Sequence, residues 1–433
     1  MQHLLTLINE QHSLLIERWE SLLQRLQDIA SLQQDPHRLP AYIALFREYG
    51  ISLYSDEKQP SLLLGNSMPT LSTSYTLLFW SQSYPDPSQT QQWHALALRL
   101  LALLVYQEQY GTFPVNVQWR IDLTHTPYPT PTGPHGYSPI QATACLCDLA
   151  EPSLFPALAL GTRGRLRTVL KVIGRQHGLH SLHGSFITNP AWRLTWALNT
   201  LKDRREDVCI DGFYDTLLPP DDDDVALLAH PSLLAYNDDA LLLGLQGQQA
   251  RYTAQFVPSC TITSMSTMEP IMAQRDNDPS PSWLPAQAQA ILDFSLVPNQ
   301  DPQDIYMKLQ QHLLAQGMQD VQVEHLESVP PQHTQFRHAF VQAVYAATQT
   351  LHTLEHTHAL RVHTQDVLLI PFATDSYTPI SYVPGTPTVF AQFGPHSFRG
   401  DTQADSFATT IVTSIAHTIL LLENLHHATV TTR

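Results

Sequence analysis

Two stretches of the sequence decide the fold. The first contains Gly178-Leu179-His180-Ser181, Gly184-Ser185-Phe186 and Asn189-Pro190, and it continues through Ile210-Asp211-Gly212-Phe213-Tyr214-Asp215. The second contains Leu284-Pro285-Ala286 and then Phe294-Ser295-Leu296-Val297-Pro298-Asn299-Gln300-Asp301-Pro302. Pro190 suits the first position of a helix that runs to about Lys202. Asp301 is placed to cap a second helix over 302–316, because its carboxylate can accept the first free N–H groups.

The rest of the chain alternates between helical and strand-like segments. Apolar residues at three- and four-residue spacing predict helices over 3–32, 39–49, 91–109, 335–355 and 404–425. Alternating or β-branched runs predict strands over 61–64, 75–80, 115–121, 142–147, 165–173, 286–296, 321–326, 367–371 and 388–393. Near the N-terminus the order helix–strand–strand–helix–strand indicates an α/β fold with a largely parallel sheet.

Length and charge exclude several classes of protein. A chain of 433 residues predicts two or three domains at roughly 150 residues each. Its 39 acidic side chains outnumber 23 basic ones, which disfavours nucleic acid and anionic membrane surfaces as partners. No apolar run is long enough to span a bilayer, and the N-terminus lacks the features of a signal peptide. We therefore expect a cytoplasmic protein.

The order and spacing of the two stretches resemble the lid, or dimerisation, domain of the dinuclear-zinc peptidase family. That family includes carnosine dipeptidase, carboxypeptidase G, aminoacylase and acetylornithine deacetylase. Other segments resemble its core: 77–79 the strand before the first metal ligands, 114–117 the strand before the catalytic glutamates, and 385–388 the last core strand. The resemblance covers nearly the whole chain.

This resemblance implies a particular domain organisation. A zinc-peptidase-type α/β core would comprise residues 1–164 and 329–433, and an inserted α+β lid domain would comprise residues 165–328. The segment Gly161-Thr162-Arg163-Gly164 resembles the family's crossing from core to lid. The resemblance also implies a homodimer formed through the lid.

The expected metal ligands are largely missing. The family holds two zinc ions with imidazole and carboxylate ligands, and it places His-x-Asp directly after the strand that matches 77–79. Ser81 and Ser83 occupy those two positions here. Neutral hydroxyl groups are poor zinc ligands, and no bridging negative charge remains. The sequence therefore predicts a degenerate zinc site with no cofactor.

Four residues remain as site candidates by the resemblance. Asp148 matches an acidic metal ligand, and His396 lies near the last histidine ligand, with Arg399 as an alternative occupant. His125 lies near the catalytic base, and His180 matches the histidine that in relatives reaches the neighbouring active site and stabilises the oxyanion. Structural interpretations stay open: Asp148 can bond a turn at its strand end, His180 can cap the following helix, and His125 can be a polar loop residue.

Other clusters give weaker signals. Cys145 and Cys147 point to one face of a strand without zinc-knuckle spacing, which favours core thiols. His352 and His356 are four residues apart and could form a surface metal pair on a helix. The run Asp221–Asp224 is interpreted as a solvated loop or helix start, because consecutive aspartates diverge. Ser295 replaces an arginine that the family carries in the lid.

Two functions follow from these residues. The first is a zinc-peptidase homologue that has lost hydrolytic activity and acts as a dimeric binding or scaffold protein, with a peptide or amino-acid-derived ligand in its cleft. The alternative is a divergent metallopeptidase or amidohydrolase that cleaves dipeptides or N-acyl amino acids. It would use one zinc ion on Asp148 and His396, or His125 and His180 without metal.

Overall fold

The computed structural model describes residues 10–32, 38–55, 62–67, 75–82, 91–122, 142–148, 157–175, 179–228, 247–268, 283–355, 368–372, 386–392 and 404–431. The helices of these ranges are α1 (His12–Ser31), α2 (Arg38–Glu48), α3 (Gln91–Tyr110), α4 (Pro190–Asn199), α5 (Asp222–Leu227), α6 (Gly247–Phe256), α7 (Pro302–Ala315), α8 (Ala339–Glu355) and α9 (Ala404–Thr431). No helix in these ranges is both long and apolar enough to cross a membrane.

An eight-stranded sheet forms the centre of the core. Its strands are β1 (Ile51–Ser55), β2 (Leu62–Ser67), β3 (Thr76–Gln82), β4 (Asn116–Asp122), β5 (Ala144–Asp148), β6 (Ala157–Ala159), β13 (Leu368–Ile370) and β14 (Thr388–Gln392). Their spatial order is β1-β2-β4-β3-β5-β14-β6-β13. The four central strands run parallel, but β2 is antiparallel to β4 and β6 is antiparallel to β14. The sheet is therefore mixed, whereas the sequence indicated a largely parallel one.

Helices α3 and α9 are the most deeply buried helices of this unit. In α3, residues 95–103 are all buried, which is typical of a helix covered on every side. Helix α9 packs against α3 and α8, and α1 covers α3 from outside. One continuous cluster of buried apolar residues joins these helices to the sheet.

The lid has its own sheet and its own apolar core. Strands β8 (Gly164–Ile173), β9 (Ser259–Met268), β10 (Gln287–Leu296) and β11 (Val321–Val329) form a fully antiparallel sheet in the order β11-β8-β10-β9. Their connectivity with α4 and α7 is βαββαβ, the ferredoxin-like arrangement. The Asp301 side chain accepts the Gln303 N–H at the start of α7, so the predicted cap is confirmed.

Two short strands join the lid to the core. Strand β7 (Gly161–Thr162) leads from the core into β8, and β12 (Gln332–His333) leads from β11 back into the core. A Cβ atom on Gly161 would lie 2.1 Å from the Gln332 carbonyl oxygen, so only glycine permits this close backbone approach. The domain limits 164/165 and 328/329 stay a prediction, next to the observed start of β8 and end of β11.

Candidate functional site

The candidate site lies at the carboxyl ends of the parallel strands, where open α/β sheets commonly bind ligands. Strands β3 and β5 are neighbours, with Trp80 in register with Cys147. The next residues along the two strands are Ser81 and Asp148, so the structure brings these two predicted positions side by side. Ser83, His125, His396 and Arg399 lie outside the described residues.

Ser81 is part of the packed core. It is buried, and its Oγ accepts a hydrogen bond from the Trp119 indole Nε1–H at 3.3 Å. The Trp119 ring packs in turn against Phe79 and Phe46. This hydroxyl is therefore held by aromatic packing, and it offers neither negative charge nor imidazole nitrogen to a zinc ion.

Asp148 is engaged by a cation from the protein itself. The Arg99 guanidinium on α3 donates from Nη2 and Nε to Asp148 Oδ1 at 2.8 and 3.2 Å. The two side chains are only 3% and 5% exposed. Arg99 also donates to Thr418 Oγ1 on α9 at 2.6 Å. The guanidinium therefore offsets the cost of burying this carboxylate, which is the role a metal ion would have in the zinc peptidases.

A second buried cation lies on the other face of the sheet. Arg120, on β4, is fully buried with its guanidinium carbon 4.2 Å from the centre of the Trp80 ring. Strand β3 pairs Trp80 with Arg120, one residue before Ser81. The strand ends therefore carry a buried guanidinium on each face of the sheet: Arg99 paired with Asp148, and Arg120 stacked on Trp80.

The two cysteines of β5, Cys145 and Cys147, are buried in the core. Burial raises the pKa of the Cys145 thiol to about 12 and raises the pKa of the Cys147 thiol well above its ordinary value. This agrees with the prediction of core thiols.

Two of the positions that match the family's ligands, 81 and 148, are described, and the residues there do not fit a dinuclear zinc site. Ser81 is neutral, and Asp148 is already paired with Arg99. In the described part of the chain, no group of three or more His, Cys, Asp or Glu side chains is arranged to hold a metal ion. His352 lies in α8, but its proposed partner His356 is outside the described residues.

His180 lies on the lid and makes the contacts of a capping residue. Its Nδ1 accepts the Leu182 N–H at 3.3 Å, at the start of a 3-10 helix over Ser181–Ser185. The exposed ring lies edge-on to Trp283, with ring centres 6.3 Å apart. These contacts support the structural interpretation of His180, and its proposed role towards a partner subunit stays a prediction.

The lid position where the family carries an arginine, Ser295, lies beside an arginine on the neighbouring strand. Ser295 on β10 is in register with Arg165 on β8. The buried Arg165 side chain pairs with Asp293, and its Nη1 lies 3.6 Å from Glu327. Burial raises the pKa of Glu327, while Arg165 opposes that shift. Arg165 is thus already neutralised by lid carboxylates.

The surroundings of Arg99 keep a nearby histidine uncharged. His417 on α9 is fully buried, and its Nε2 lies 3.1 Å from Thr348 Oγ1. Burial, assisted by the positive charge of Arg99, lowers the pKa of His417 to about 3. Sequence reasoning missed this network. Its one signal was Arg99 itself, a charged residue interrupting the apolar run Leu96–Val105.

Comparison with solved structures identifies the fold. The chain superposes on an M20 family metallo-carboxypeptidase from Sulfolobus solfataricus with a TM-score of 0.66 at 17% identity, covering 89% of this chain and 96% of that one. Human carnosine dipeptidase 1 gives 0.65 at 13% identity, covering 96% and 100%. The Saccharomyces cerevisiae di-peptidase Dug1p gives 0.65 at 15% identity, covering 98% and 99%.

The fold is that of the M20 metallopeptidases, so the resemblance seen in the sequence is confirmed at the level of fold. Neither the family models nor the curated proteins match the sequence. Identities below 25% carry the architecture alone, and the activity has to be argued from the site.

Removing the Arg99 side chain is expected to destabilise the protein strongly. The variant Arg99→Met leaves the Asp148 carboxylate buried without its cation, which costs about 3–5 kcal/mol in the free energy of unfolding. Urea denaturation followed by circular dichroism measures this loss. Arg99→Met combined with Asp148→Leu is expected to recover part of it, because the buried charge is removed as well.

Arg18→Met is the matched control. Arg18 pairs with Glu108 across α1 and α3, but both side chains are well exposed, at 36% and 49%. The expected loss is below about 1 kcal/mol. Equal losses in Arg99→Met and Arg18→Met would contradict the assigned role of Arg99.

Stability is expected to fall with acidity because of His417. The unfolded chain binds a proton near the ordinary pKa of 6.5, whereas the folded protein resists protonation down to about 3. The stabilisation from neutral His417 is therefore complete above pH 6.5 and is lost as the pH falls from there towards 3. The slope is about 1.4 kcal/mol per pH unit.

The variant His417→Gln is expected to show a shallower decline in unfolding free energy than the wild type between about pH 7 and pH 4. His426→Gln, on the exposed end of the same helix, should keep the wild-type slope. A wild-type slope in His417→Gln would rule out this contribution.

Proposed function

We propose that this protein is a non-hydrolytic homologue of the M20 metallopeptidases that acts as a homodimeric binding or scaffold protein. The observation that carries the proposal is the buried ion pair between Asp148 and Arg99. The guanidinium holds one oxygen of this carboxylate at 2.8 Å and neutralises the charge that would attract a zinc ion. Ser81, bonded to Trp119, adds no ligand beside it.

The loss of hydrolysis follows from the chemistry of amide cleavage. Metal-assisted hydrolysis requires a bound cation that lowers the pKa of water and a base that removes its proton. His125 lies near the position expected for the glutamate base, and Ser83 occupies the position expected for the bridging carboxylate. The cleft would then bind a peptide or amino-acid-derived ligand without cleaving it.

The distribution of exposed apolar side chains supports a binding role for the lid. Of the large apolar residues exposed in the described ranges, only Leu14, Tyr54 and Tyr110 belong to the core. The others lie between residues 173 and 326, and they include Leu182 at 79% and Phe186 at 73% exposed. Where such side chains lie side by side, they are typical of a protein–protein interface.

Strand β9 is the part of this surface best suited to a second copy of the chain. Its sequence, Ser-Cys-Thr-Ile-Thr-Ser-Met-Ser-Thr-Met, has no charge and no proline, and every residue except Cys260 is exposed. Within the described ranges it pairs with β10 alone. The opposite edge strand β11 carries Glu324, whose side chain is 51% exposed and whose charge discourages edge pairing.

The flank of β9 adds apolar area to this edge. A groove of about 280 Å³ lies between the end of α4 and β9, with Leu198, Leu201 and Ile262 among its lining residues. Trp192 and Trp196 stack on the outer face of α4 with ring centres 6.2 Å apart, and both are more than half exposed. We infer an isologous dimer in which two β9 strands pair.

One observation favours the alternative, a divergent hydrolase that cleaves dipeptides or N-acyl amino acids. The second carboxylate oxygen of Asp148, Oδ2, is buried and has no hydrogen-bond partner among the described residues. That oxygen could join His396 in holding one zinc ion. A cytoplasmic location and the absence of nucleic-acid partners stay predictions from the sequence.

Metal analysis combined with an activity assay separates the two functions. We expect the protein, incubated with zinc and dialysed, to retain no stoichiometric zinc by plasma mass spectrometry. We also expect no hydrolysis of dipeptides or N-acyl amino acids above buffer. Tightly bound zinc, with hydrolysis that is lost in a folded Asp148→Ala variant, would establish the hydrolase instead.

A charge on the β9 edge is expected to dissociate the dimer. In the variant Ile262→Lys with Met265→Lys, two ammonium groups per copy would face each other across the strand pair. Light scattering after size exclusion should change from dimer to monomer. Met307→Lys, an equally exposed site on α7, should remain dimeric. A monomeric wild type, or a dimer that persists in the β9 variant, would contradict this interface.

A further inference from the structure

A segment of the lid chain packs across the junction between the two units. This segment, the strap, comprises residues 221–228 and 247–257, which lie between α4 and β9 along the chain. The strap contains α5 and α6. We propose that the strap fixes the lid in a single orientation relative to the core.

Helix α5 binds the returning strand of the junction. The Asp224 carboxylate lies 3.1 Å from His333 Nε2 on β12, and the two side chains are 5% and 14% exposed. Asp221 accepts the Asp224 N–H and caps the helix, as expected for a helix start. The sequence predicted a solvated loop or a helix start, and the helix start is confirmed, with the Asp224 side chain buried in the junction. Leu227 packs against the core cluster.

Helix α6 binds the core strand region beyond β13. The Phe372 N–H donates to Gln255 Oε1 at 2.9 Å in a buried position. The rings of Phe256 and Phe372 meet edge to face, with centres 5.7 Å apart. The His333 ring also packs against the Phe372 ring, with ring centres 5.1 Å apart. Helix α5 therefore contacts the junction residue His333, and helix α6 contacts the core residue Phe372. These two residues also contact each other.

The outgoing connection is tied to the strap as well. Arg163, between β7 and β8, donates to the carbonyl oxygens of Ala254 and Val257 at the end of α6. A helix C-terminus exposes free carbonyl groups that a cation can satisfy. Arg251 donates to the Leu228 carbonyl and links the two parts of the strap. Each chain crossing thus has its own contact with the strap.

The junction itself leaves little room for rotation. A Cβ on Gly164 would lie 2.6 Å from the Pro331 nitrogen, so the two crossings are packed backbone against backbone. A hinge must absorb large changes in backbone dihedral angles at a few residues. Here such changes would break the buried contacts of Asp224 and Gln255. The exposed pair of Arg337 with Asp223 adds little, because Arg337 is 80% exposed.

This inference does not depend on the metal site or on dimerisation. It concerns the motion of the lid within one copy of the chain. A mobile lid would leave the proposed function standing, and a failure of the proposed function would leave the fixed lid standing. A fixed lid would suit a scaffold, since its binding surfaces would then keep a constant relative geometry.

Pulsed electron–electron double resonance measures the distance between a spin label on the lid and one on the core. That distance reports the orientation of the lid. Cys209 on the lid is exposed while Cys145, Cys147 and Cys260 are buried, so the native chain carries one accessible labelling site. A second label is introduced by Glu20→Cys on the exposed face of α1. Labelled protein is mixed with excess unlabelled protein to suppress distances between copies. We expect one narrow distance distribution.

The decisive variant removes both buried contacts of the strap. In Asp224→Ala with Gln255→Ala, the distance distribution is expected to broaden or to split into two peaks. The matched control is Asp320→Asn, which breaks an ion pair with Arg193 inside the lid. The control should keep the wild-type distribution. A broad distribution in the wild type, or a narrow one in the folded strap variant, would overturn the proposal.

Hydrogen exchange provides a second readout if the double variant folds poorly. The single variant Gln255→Ala removes the acceptor of the Phe372 N–H. The peptide that contains Phe372 should then exchange its amide hydrogens faster, while the protection of α3 stays unchanged. Unchanged exchange at Phe372 would overturn the role of Gln255. Equal loss of protection in α3 would do the same, because it would indicate general destabilisation of the core.

Discussion

The buried contact between Arg99 and Asp148 is the constraint on which the core depends. It joins the end of β5 to the middle of α3, and through Thr418 it reaches α9. Neither charge can be buried alone without a cost of several kcal/mol, so the three elements are coupled electrostatically as well as by packing. The same contact neutralises the carboxylate at the position that matches a metal ligand of the zinc peptidases, which supports the proposed loss of metal binding.

Much of the fold could be predicted from local signals. Pro190 and Asp301 mark helix starts because their backbone chemistry acts within one turn, and both helices begin where expected. Strand β9 and helix α6 were missed. Strand β9 has neither the apolar alternation of a half-buried strand nor a continuous apolar run, because it is exposed on both faces. Tertiary pairing, which no local pattern records, makes it a strand.

The site was predictable only in part. The sequence alone places Ser81 where a metal ligand is expected. The partner of Asp148 could not be inferred, because Arg99 is separated from it by 49 residues and meets it only through the packing of α3 on the sheet. His180 carried two interpretations, and the hydrogen bond from Leu182 supports the local one. Local sequence patterns therefore do not predict which charged residues pair across long separations in the chain.

The distribution of tryptophans has a practical consequence for following the two units separately. Trp19, Trp80, Trp93 and Trp119 are all buried in the core, whereas Trp192 and Trp196 stand in solvent on the lid. An aqueous collisional quencher such as iodide will therefore extinguish lid emission first and leave a blue-shifted core component. Intrinsic fluorescence can then record occlusion of the α4 surface by a ligand or subunit without any attached dye.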